Sequence, residues 1–203
     1  MTHIENLSTL LERGALHASN CSPSDGLPYR TIHNVDIQQV RSAQRLDCGP
    51  RGVIHDYVPF YFGPRSPMLL QLHTGRVEGF GETQGRVIYL VSCAQDIAAS
   101  GASFVFSDGH GIAAYTRWFD DLAHLGEVNW DIVYADYWYD NADHMDRQRR
   151  KQAEFLVYQT CEWRLIAEIG VIDVATKSEV EAIIQGHPHM HQPPVNVHRE
   201  WYY

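Results

Sequence analysis

One acidic residue, Glu154, stands where a dense basic segment meets a strand-like run in DRQRRKQAEFLVY, residues 146–158. In an extended chain alternate side chains share a face, so Phe155 and Val157 lie opposite Leu156. Both faces are mainly apolar, which predicts a buried strand. A charged acid that opens such a strand is either paired with a nearby arginine of residues 147–150 or placed there for chemistry.

Histidines offer two further candidate sites. His187, His189 and His191 alternate in HPHMHQ, a spacing that can bind zinc on a strand. Flanking prolines and the absence of a neighbouring cysteine or carboxylate favour an ordinary loop, so we predict no metal. His110, in SDGHG, follows the predicted strand FVFSD at a position where functional loops are common.

Composition limits the possible classes of protein. The 203 residues, 44% of them hydrophobic, suffice for one domain with its own core, and we assign 1–203 to a single domain. The four cysteines are far apart, which fits a reducing cytoplasm, and no apolar run is long enough to span a membrane. A net charge of −9 disfavours a general nucleic-acid coat, although a local basic groove remains possible. GxGxxG, Walker and GxSxG motifs are missing.

The pattern of elements predicts one α+β domain. Helical spacing follows THIENLSTLLERGAL, with Gly14 as its stop, and VDIQQVRSAQRL. RVIYLVS, FVFSD and RLIAEIGVID are typical of strands, and Ser92 is a candidate cap for a short helix after the first of these. We also predict a strand from Met68, an amphipathic helix in GIAAYTRWFDDLAHL, a helix in SEVEAIIQG and a closing strand in PPVNVHREWYY.

Several stretches together resemble the DarT family of DNA ADP-ribosyltransferase toxins. They are THIENL, YRTIHNVDIQQVR, HDYVPFYFGPRSPML, FVFSDGHG, RRKQAEFLV and the final WYY, in the order that the family has them. The resemblance implies a split, twisted β-core with peripheral helices, and a cleft in which NAD is cleaved. It implies transfer of ADP-ribose to thymine in single-stranded DNA, without a metal, and control by a DarG-like macrodomain antitoxin.

The same resemblance assigns site residues. Glu154 matches the catalytic glutamate and Arg41 a second essential position, which we interpret as stabilising the base anion or the NAD phosphates, because arginine stays protonated. His110 would contact the target base or relay its proton. The matching positions in the NAD pocket are Thr2, Thr9, His17 and Arg41, with Tyr61 and Met68 as weaker candidates.

The resemblance also divides the chain by task. Residues from about 107 to 154 would choose the DNA sequence, and the loop from Ser22 to about Ala43 would cover NAD. Arg41, Arg45, Arg51, Arg65, Arg76 and the cluster Arg147–Lys151 are the candidates for a basic groove.

One feature departs from the family pattern. A Tyr-x-His whose histidine grips NAD usually stands just before the stretch that matches Thr2 and His3, and the sequence begins inside that motif. We expect either weakened NAD binding, with His3 as a partial substitute, or a start further upstream. Alternatives to the thymine reaction are the same chemistry on guanine or RNA, and an inactive module that binds nucleic acid or a partner.

Overall fold

The computed structural model describes residues 1–77 and 80–203. Its α-helices are α1 (Asn6–Arg13), α2 (Val35–Ala43), α3 (Pro67–His73), α4 (Ala94–Ala99), α5 (Trp130–Val133), α6 (Arg147–Arg150) and α7 (Val174–Gln185). The strands are β1 (Thr2–His3), β2 (Ala15–His17), β3 (Arg45–Leu46), β4 (Gly52–Val53), β5 (Tyr57–Tyr61), β6 (Val87–Ser92), β7 (Phe104–Ser107), β8 (Trp118–Phe119), β9 (Glu154–Tyr158), β10 (Thr160–Glu162), β11 (Ile166–Val171) and β12 (Val195–Val197).

Two four-stranded sheets form the centre of the molecule. One has the order β1-β6-β11-β12 and the other β5-β9-β7-β8, while β10-β2 and β3-β4 are two-stranded ribbons. The first sheet packs on α1 and α7 through a core that contains Leu7, Ile169 and Val180. This arrangement agrees with the predicted split β-core and peripheral helices. Within the described ranges, no helix is both long and apolar enough to cross a membrane.

β9 is an interior strand of the second sheet, and the sequence predicted its two faces correctly. Phe155 and Val157 join one core cluster, and Leu156 joins another with Ile54 and Tyr57. Its neighbour β5 is an edge strand in which Pro59 pairs with Leu156. Proline is tolerated at an edge because one side of that strand needs no ladder hydrogen bond.

The predicted elements with strong local signals are present. α1 ends at Gly14, which has a left-handed φ of 66°, and α2 begins after Asn34, whose side chain accepts bonds from the amides of Asp36 and Ile37. β6, β7, β11 and α7 also lie where their patterns placed them.

Three local predictions are wrong. Met68 lies in α3 rather than in a strand, because Ser66 caps the helix and Pro67 occupies its first turn, where a missing amide hydrogen costs nothing. The helix predicted for residues 111–125 is replaced by turns, β8 and a 3₁₀ helix, since β8 pairs with β7 and Phe119 stacks on Phe106. Ser92 donates to the carbonyl of Leu165, so Cys93 instead precedes α4.

Candidate active site

A cleft of about 720 Å³ opens between the two four-stranded sheets. Thr2 and Leu90 line it from the first sheet, and Pro59, Tyr61 and Glu154 line it from the second. The volume falls within the range of pockets that bind cofactors and other small molecules. The cleft is therefore large enough to take a dinucleotide in part or whole.

Glu154 forms a bidentate ion pair with Arg41 inside this cleft. Nη1 of Arg41 lies 3.0 Å from Oε1 of Glu154, and Nη2 lies 2.8 Å from Oε2. Both residues are buried, with 3% of Glu154 and 8% of Arg41 exposed. The partner comes from α2, 113 residues away, rather than from the adjacent arginines that the sequence suggested. This fork geometry fixes the direction of both side chains.

Two hydrogen bonds, one from a backbone amide and one to a side-chain hydroxyl, hold Glu154 from the side of the SDGHG loop. The amide of Gly111 donates to Oε1 at 3.2 Å, and the Glu154 amide donates to the hydroxyl of Ser107 at 3.2 Å. A Cβ at position 111 would lie less than 3.0 Å from Oε1, so any residue other than glycine would force the carboxylate to shift. The sequence pattern indicated His110 in this loop but not Gly111, although two glycines flank the histidine.

The charges of Glu154 and Arg41 change the pKa values of groups in and beside the pair. Burial alone would lower the pKa of Arg41, but the charge and hydrogen bonds of Glu154 outweigh it and raise that pKa. Tyr61 pairs directly with Glu154 across β5 and β9. Burial, followed by the Glu154 charge, raises the pKa of Tyr61 to about 12, so its phenol remains protonated at neutral pH.

His110 also lines the cleft. Its amide donates to the carbonyl of Arg149 at 2.9 Å, and its own carbonyl accepts from the hydroxyl of Thr116 at 2.7 Å. Burial lowers the pKa of His110, and the charge of Arg41 lowers it further, while Glu154 partly offsets both. The imidazole is therefore neutral at pH 7 and can accept a proton.

The residues predicted for the NAD pocket separate into two groups. Thr2, His17, Arg41, Tyr61 and Met68 line the cleft. Thr9 is buried instead on α1, where its hydroxyl donates to the carbonyl of Pro28 at 2.8 Å. The hydrogen bond of Thr9 thus holds the loop that contains Pro28.

The loop after Ser22, which the resemblance assigns to cover NAD, forms one wall of the cleft, and α1 fastens it. The side-chain amide of Asn6 donates to the Arg30 carbonyl at 2.8 Å and accepts from the Arg30 amide at 2.6 Å. Arg13 makes two bonds to Asp25, each 2.8 Å long. Residues 29–34 of this loop all line the cleft.

The predicted basic groove is wrong for the cluster Arg147–Lys151. Arg149 binds Asp108 and Asp146, and Arg150 also binds Asp146. Lys151 is 3% exposed and donates to the carbonyls of Val133 and Ala135 at 2.7 and 2.9 Å. These cations are used to hold the protein together.

Three histidines outside the cleft bond to other groups of the protein. His187 and His191 bond through a ring nitrogen to the carbonyls of Ile183 and Ile166. His3 is fully buried and bonds to Glu82 at 2.8 Å, which leaves it no position in the cleft wall from which to substitute for an NAD-binding histidine. Over the residues described, the one group with metal-ligand spacing is His3, Glu5 and Glu82, where the guanidinium of Arg30 already bridges both carboxylates.

Comparisons with known proteins identify what this arrangement resembles. The family described as "ssDNA thymidine ADP-ribosyltransferase, DarT" matches residues 1–203. A DNA ADP-ribosyl transferase of Thermus sp. strain 2.9 is 41% identical over 203 residues, which cover 100% of this chain and 94% of that protein. One of Escherichia coli O127:H6 is 33% identical over 79% of this chain and 73% of that protein.

Solved structures agree with the sequence comparisons. The structure of Thermus sp. 2.9 DarT in complex with ADP-ribosylated ssDNA has a TM-score of 0.92 at 40% identity, covering 100% of this chain and 93% of that chain. The complex of the Thermus protein with NAD⁺ has a TM-score of 0.88 at 39% identity, covering 100% and 94%. Thermosipho africanus DarTG in complex with ADP-ribose is 18% identical with a TM-score of 0.78 and shows the shared fold, over 100% of this chain and 50% of that chain.

Proposed function

Since the chain belongs to the DarT family of ssDNA thymidine ADP-ribosyltransferases, we propose that it transfers ADP-ribose from NAD to a thymine base of single-stranded DNA, with Glu154 and Arg41 at the reacting sugar. The observation that carries this assignment is the buried, two-pronged pair of Glu154 and Arg41 in the cleft between the sheets. NAD is the donor substrate, and the residues assigned to the reaction involve no metal.

Glu154 supplies the negative charge that the reaction requires. When the bond between nicotinamide and C1′ of the ribose breaks, its electron pair leaves with nicotinamide and the sugar gains positive charge. A fixed carboxylate stabilises that charge and accepts a hydrogen bond from the 2′-hydroxyl. The bonds from Arg41 and Gly111 hold the carboxylate in place before NAD arrives, so little reorganisation accompanies the reaction.

Arg41 has donors left for a second task. A guanidinium carries five N–H groups, and the pair with Glu154 uses one on each terminal nitrogen. The remaining donors can hold an oxygen of the thymine as negative charge develops on the base, or an oxygen of the NAD diphosphate. Arg41 cannot act as a base, because its pKa is raised above an already high value.

We assign the removal of the thymine proton to His110. N3 of thymine forms the new bond to C1′ and loses its hydrogen, and the neutral imidazole of His110 accepts that proton and releases it to water. The lowered pKa of His110 keeps it in the accepting form at pH 7, and its place in the cleft wall supports contact with the base.

The NAD side of the cleft is assigned to Thr2, His17, Tyr61 and Met68, together with the loop over residues 22–34. Thr9 acts on NAD indirectly through Pro28. The whole chain, 1–203, is proposed to form one catalytic domain, which the match of the family over the same residues supports.

The acceptor is single-stranded because a thymine must leave any base stack before its N3 can be attacked. Residues 107–154 are proposed to read the surrounding DNA sequence. A DarG-like macrodomain antitoxin is the proposed partner, which the similarity to a Thermosipho protein named DarTG supports. A cytoplasmic location follows from the two substrates, NAD and DNA.

Mass spectrometry of short oligonucleotides tests the reaction directly. Single-stranded oligonucleotides that each lack one base type are incubated with the protein and NAD. An ADP-ribose adduct that disappears only when thymine is missing supports the proposal, whereas an adduct that requires guanine, or forms only on RNA, replaces the acceptor. The Glu154→Gln variant serves as the control, and an unchanged yield in it overturns the assignment of the catalytic acid.

A further inference from the structure

The segment from Ser107 to Glu154 is acidic and yet presents exposed aromatic rings. It contains ten acidic and only five basic residues. Six aromatic side chains are exposed among the described residues, and five of them belong to this segment: Tyr115, Trp130, Tyr134, Tyr137 and Tyr139. Exposed rings that cluster in one part of a surface mark a binding site more often than scattered ones do.

The five basic residues of the segment are all engaged within it. Arg117 pairs with Asp108 and Glu127, and the pairs of Arg149 and Arg150 and the buried bonds of Lys151 are described above. Arg147 donates to the carbonyl of Tyr137. The segment therefore offers few cations to DNA phosphates, and its excess of acids repels them.

Two of the exposed tyrosines, and the residue that follows a third, are bonded to consecutive residues at the start of α6. The hydroxyl of Tyr115 donates to Asp146, and Arg147 holds the backbone of Tyr137. Just beyond Tyr139, Asp140 accepts from the amide of Gln148 at 2.9 Å. We call Tyr115, Tyr137 and Tyr139 the tyrosine surface.

The tyrosine surface is continuous with the active-site cleft and is held firmly. Gln148, to which its end is bonded, itself lines the cleft. Trp138 is only 2% exposed and donates to the hydroxyl of Tyr203, while its neighbours Tyr137 and Tyr139 are 66% and 45% exposed. The guanidinium of Arg149 lies 4.9 Å from the ring centre of Tyr115.

We infer that the tyrosine surface binds the nucleotides next to the modified thymine with their bases against Tyr115, Tyr137 and Tyr139 and their phosphates turned towards solvent. This inference rests on the proposed function, because it takes single-stranded DNA as the acceptor. Aromatic rings accept the faces of unpaired bases, and an acid-rich surface favours an orientation that keeps phosphates away. Recognition on this side of the cleft thus depends on stacking more than on charge.

Modified oligonucleotides separate stacking from phosphate contact. The parent is a single-stranded oligonucleotide with one reactive thymine; one series carries an abasic site at each flanking position, and the other a neutral methylphosphonate at each flanking linkage. We expect at least one abasic position to lower kcat/KM about tenfold, as the loss of one stacked base does, and the methylphosphonates to change it less than about threefold. The opposite order overturns the inference.

Variants locate the effect on the protein. Tyr137→Leu and Tyr139→Leu should each raise KM for the oligonucleotide about tenfold and leave NAD affinity, measured by calorimetry, unchanged. Tyr137→Phe keeps the ring and should restore KM, and Val174→Ser, an exposed apolar position on α7, is the control. Leucine variants with normal KM for DNA and weakened binding of a macrodomain partner would assign the surface to a protein and overturn the inference.

Two different results distinguish failure of the proposed function from failure of the inference about the tyrosine surface. If the parent oligonucleotide receives no ADP-ribose from the unaltered protein, the proposed reaction fails. If the parent is modified and every abasic oligonucleotide is modified equally well, the reaction stands and the inference about the tyrosine surface falls.

Discussion

The two walls of the cleft are fixed in different ways. On the side proposed to bind NAD, the loop over residues 22–34 is held by neutral bonds from Asn6 and Thr9 and by ion pairs, Arg13–Asp25 and those of Arg30 with Glu5 and Glu82. On the side proposed to bind the acceptor, the segment over residues 107–154 is held by nearly buried cations, Arg149 and Lys151. The first wall lies beside a regular eight-residue helix, whereas the second contains only short elements.

The difference follows from where backbone hydrogen bonds can go. A buried backbone carbonyl needs a donor, and regular helices and sheets supply most of those donors themselves. The acceptor segment has little regular structure, so side chains such as Lys151 supply them. Because the cations of this segment bind other groups of the protein, its outer surface is acidic. An acidic surface repels the phosphates of DNA. Four substitutions test this difference between the two walls. The first changes Glu154, where the walls meet, and the last removes a single hydrogen bond within one wall.

The largest effect is expected at Glu154, where the two walls meet. Glu154→Gln keeps the size of the side chain and removes its charge, so the developing positive charge on the ribose loses its stabilisation. We expect kcat to fall about a thousandfold, with NAD affinity changed little. Rates of adduct formation and calorimetric titration with NAD measure the two. A rate within tenfold of the unaltered protein would contradict the catalytic assignment.

Gly111→Ala should have the next largest effect, because it acts on Glu154 from the acceptor wall alone. The new Cβ would lie too close to Oε1 of Glu154 and displace the carboxylate. We expect kcat to fall about a hundredfold, with melting temperature changed by only a few degrees. Gly126→Ala is a matched control in the same segment, since a Cβ there contacts nothing within 4 Å. Equal activity in the two variants would show that the close approach of Gly111 is unimportant.

Lys151→Met tests whether a buried cation holds the acceptor wall. Loss of two bonds to backbone carbonyls should lower the free energy of unfolding by about 2 kcal/mol and raise KM for DNA more than KM for NAD. Urea unfolding and steady-state kinetics measure these quantities. A rise in both KM values by the same factor would mean that Lys151 supports the fold as a whole.

The same variant predicts a dependence on pH. Burial, followed by the charge of Arg65, lowers the pKa of Lys151 to about 8 in the folded protein, below its ordinary value of 10.5. Between these two values the unfolded chain binds more protons, so stability rises with pH there. The unaltered protein should therefore gain stability relative to Lys151→Met as pH rises from 8 to 10. A constant difference over that range would contradict the lowered pKa.

The smallest effect is expected on the NAD wall. Thr9→Val keeps the shape of the side chain and removes the bond to the Pro28 carbonyl, a loss of about 1 kcal/mol. KM for NAD should rise about fivefold with kcat and KM for DNA unchanged, and Thr9→Ser should behave as the unaltered protein does. A larger effect of Thr9→Val on DNA than on NAD would remove the distinction between the two walls.

The local sequence pattern correctly predicted those elements that their own residues specify. The two apolar faces of β9, the Gly14 stop of α1 and the spacing of α2 are properties of a few neighbouring residues, and the structure has them as predicted. Resemblance to a family added Arg41, His110 and the pocket residues, and it assigned Glu154 to catalysis; periodicity could not have done so.

Other features depend on contacts between distant residues. The pairing of β8 with β7 replaced a helix that the sequence pattern favoured, and Ser66 with Pro67 began a helix where a strand was predicted. The cluster Arg147–Lys151 reads as a basic surface along the chain, yet Asp108 and the carbonyls of Val133 and Ala135 take up its charges.

The sequence by itself determined that an acid opens a buried strand, because alternation and burial are local properties of the chain. Only the tertiary structure decided that Arg41 is its partner and that Gly111 fixes its direction. Those contacts join positions 113 and 43 residues apart, and ion pairs and hydrogen bonds form only between groups that folding has brought within about 3 Å of each other.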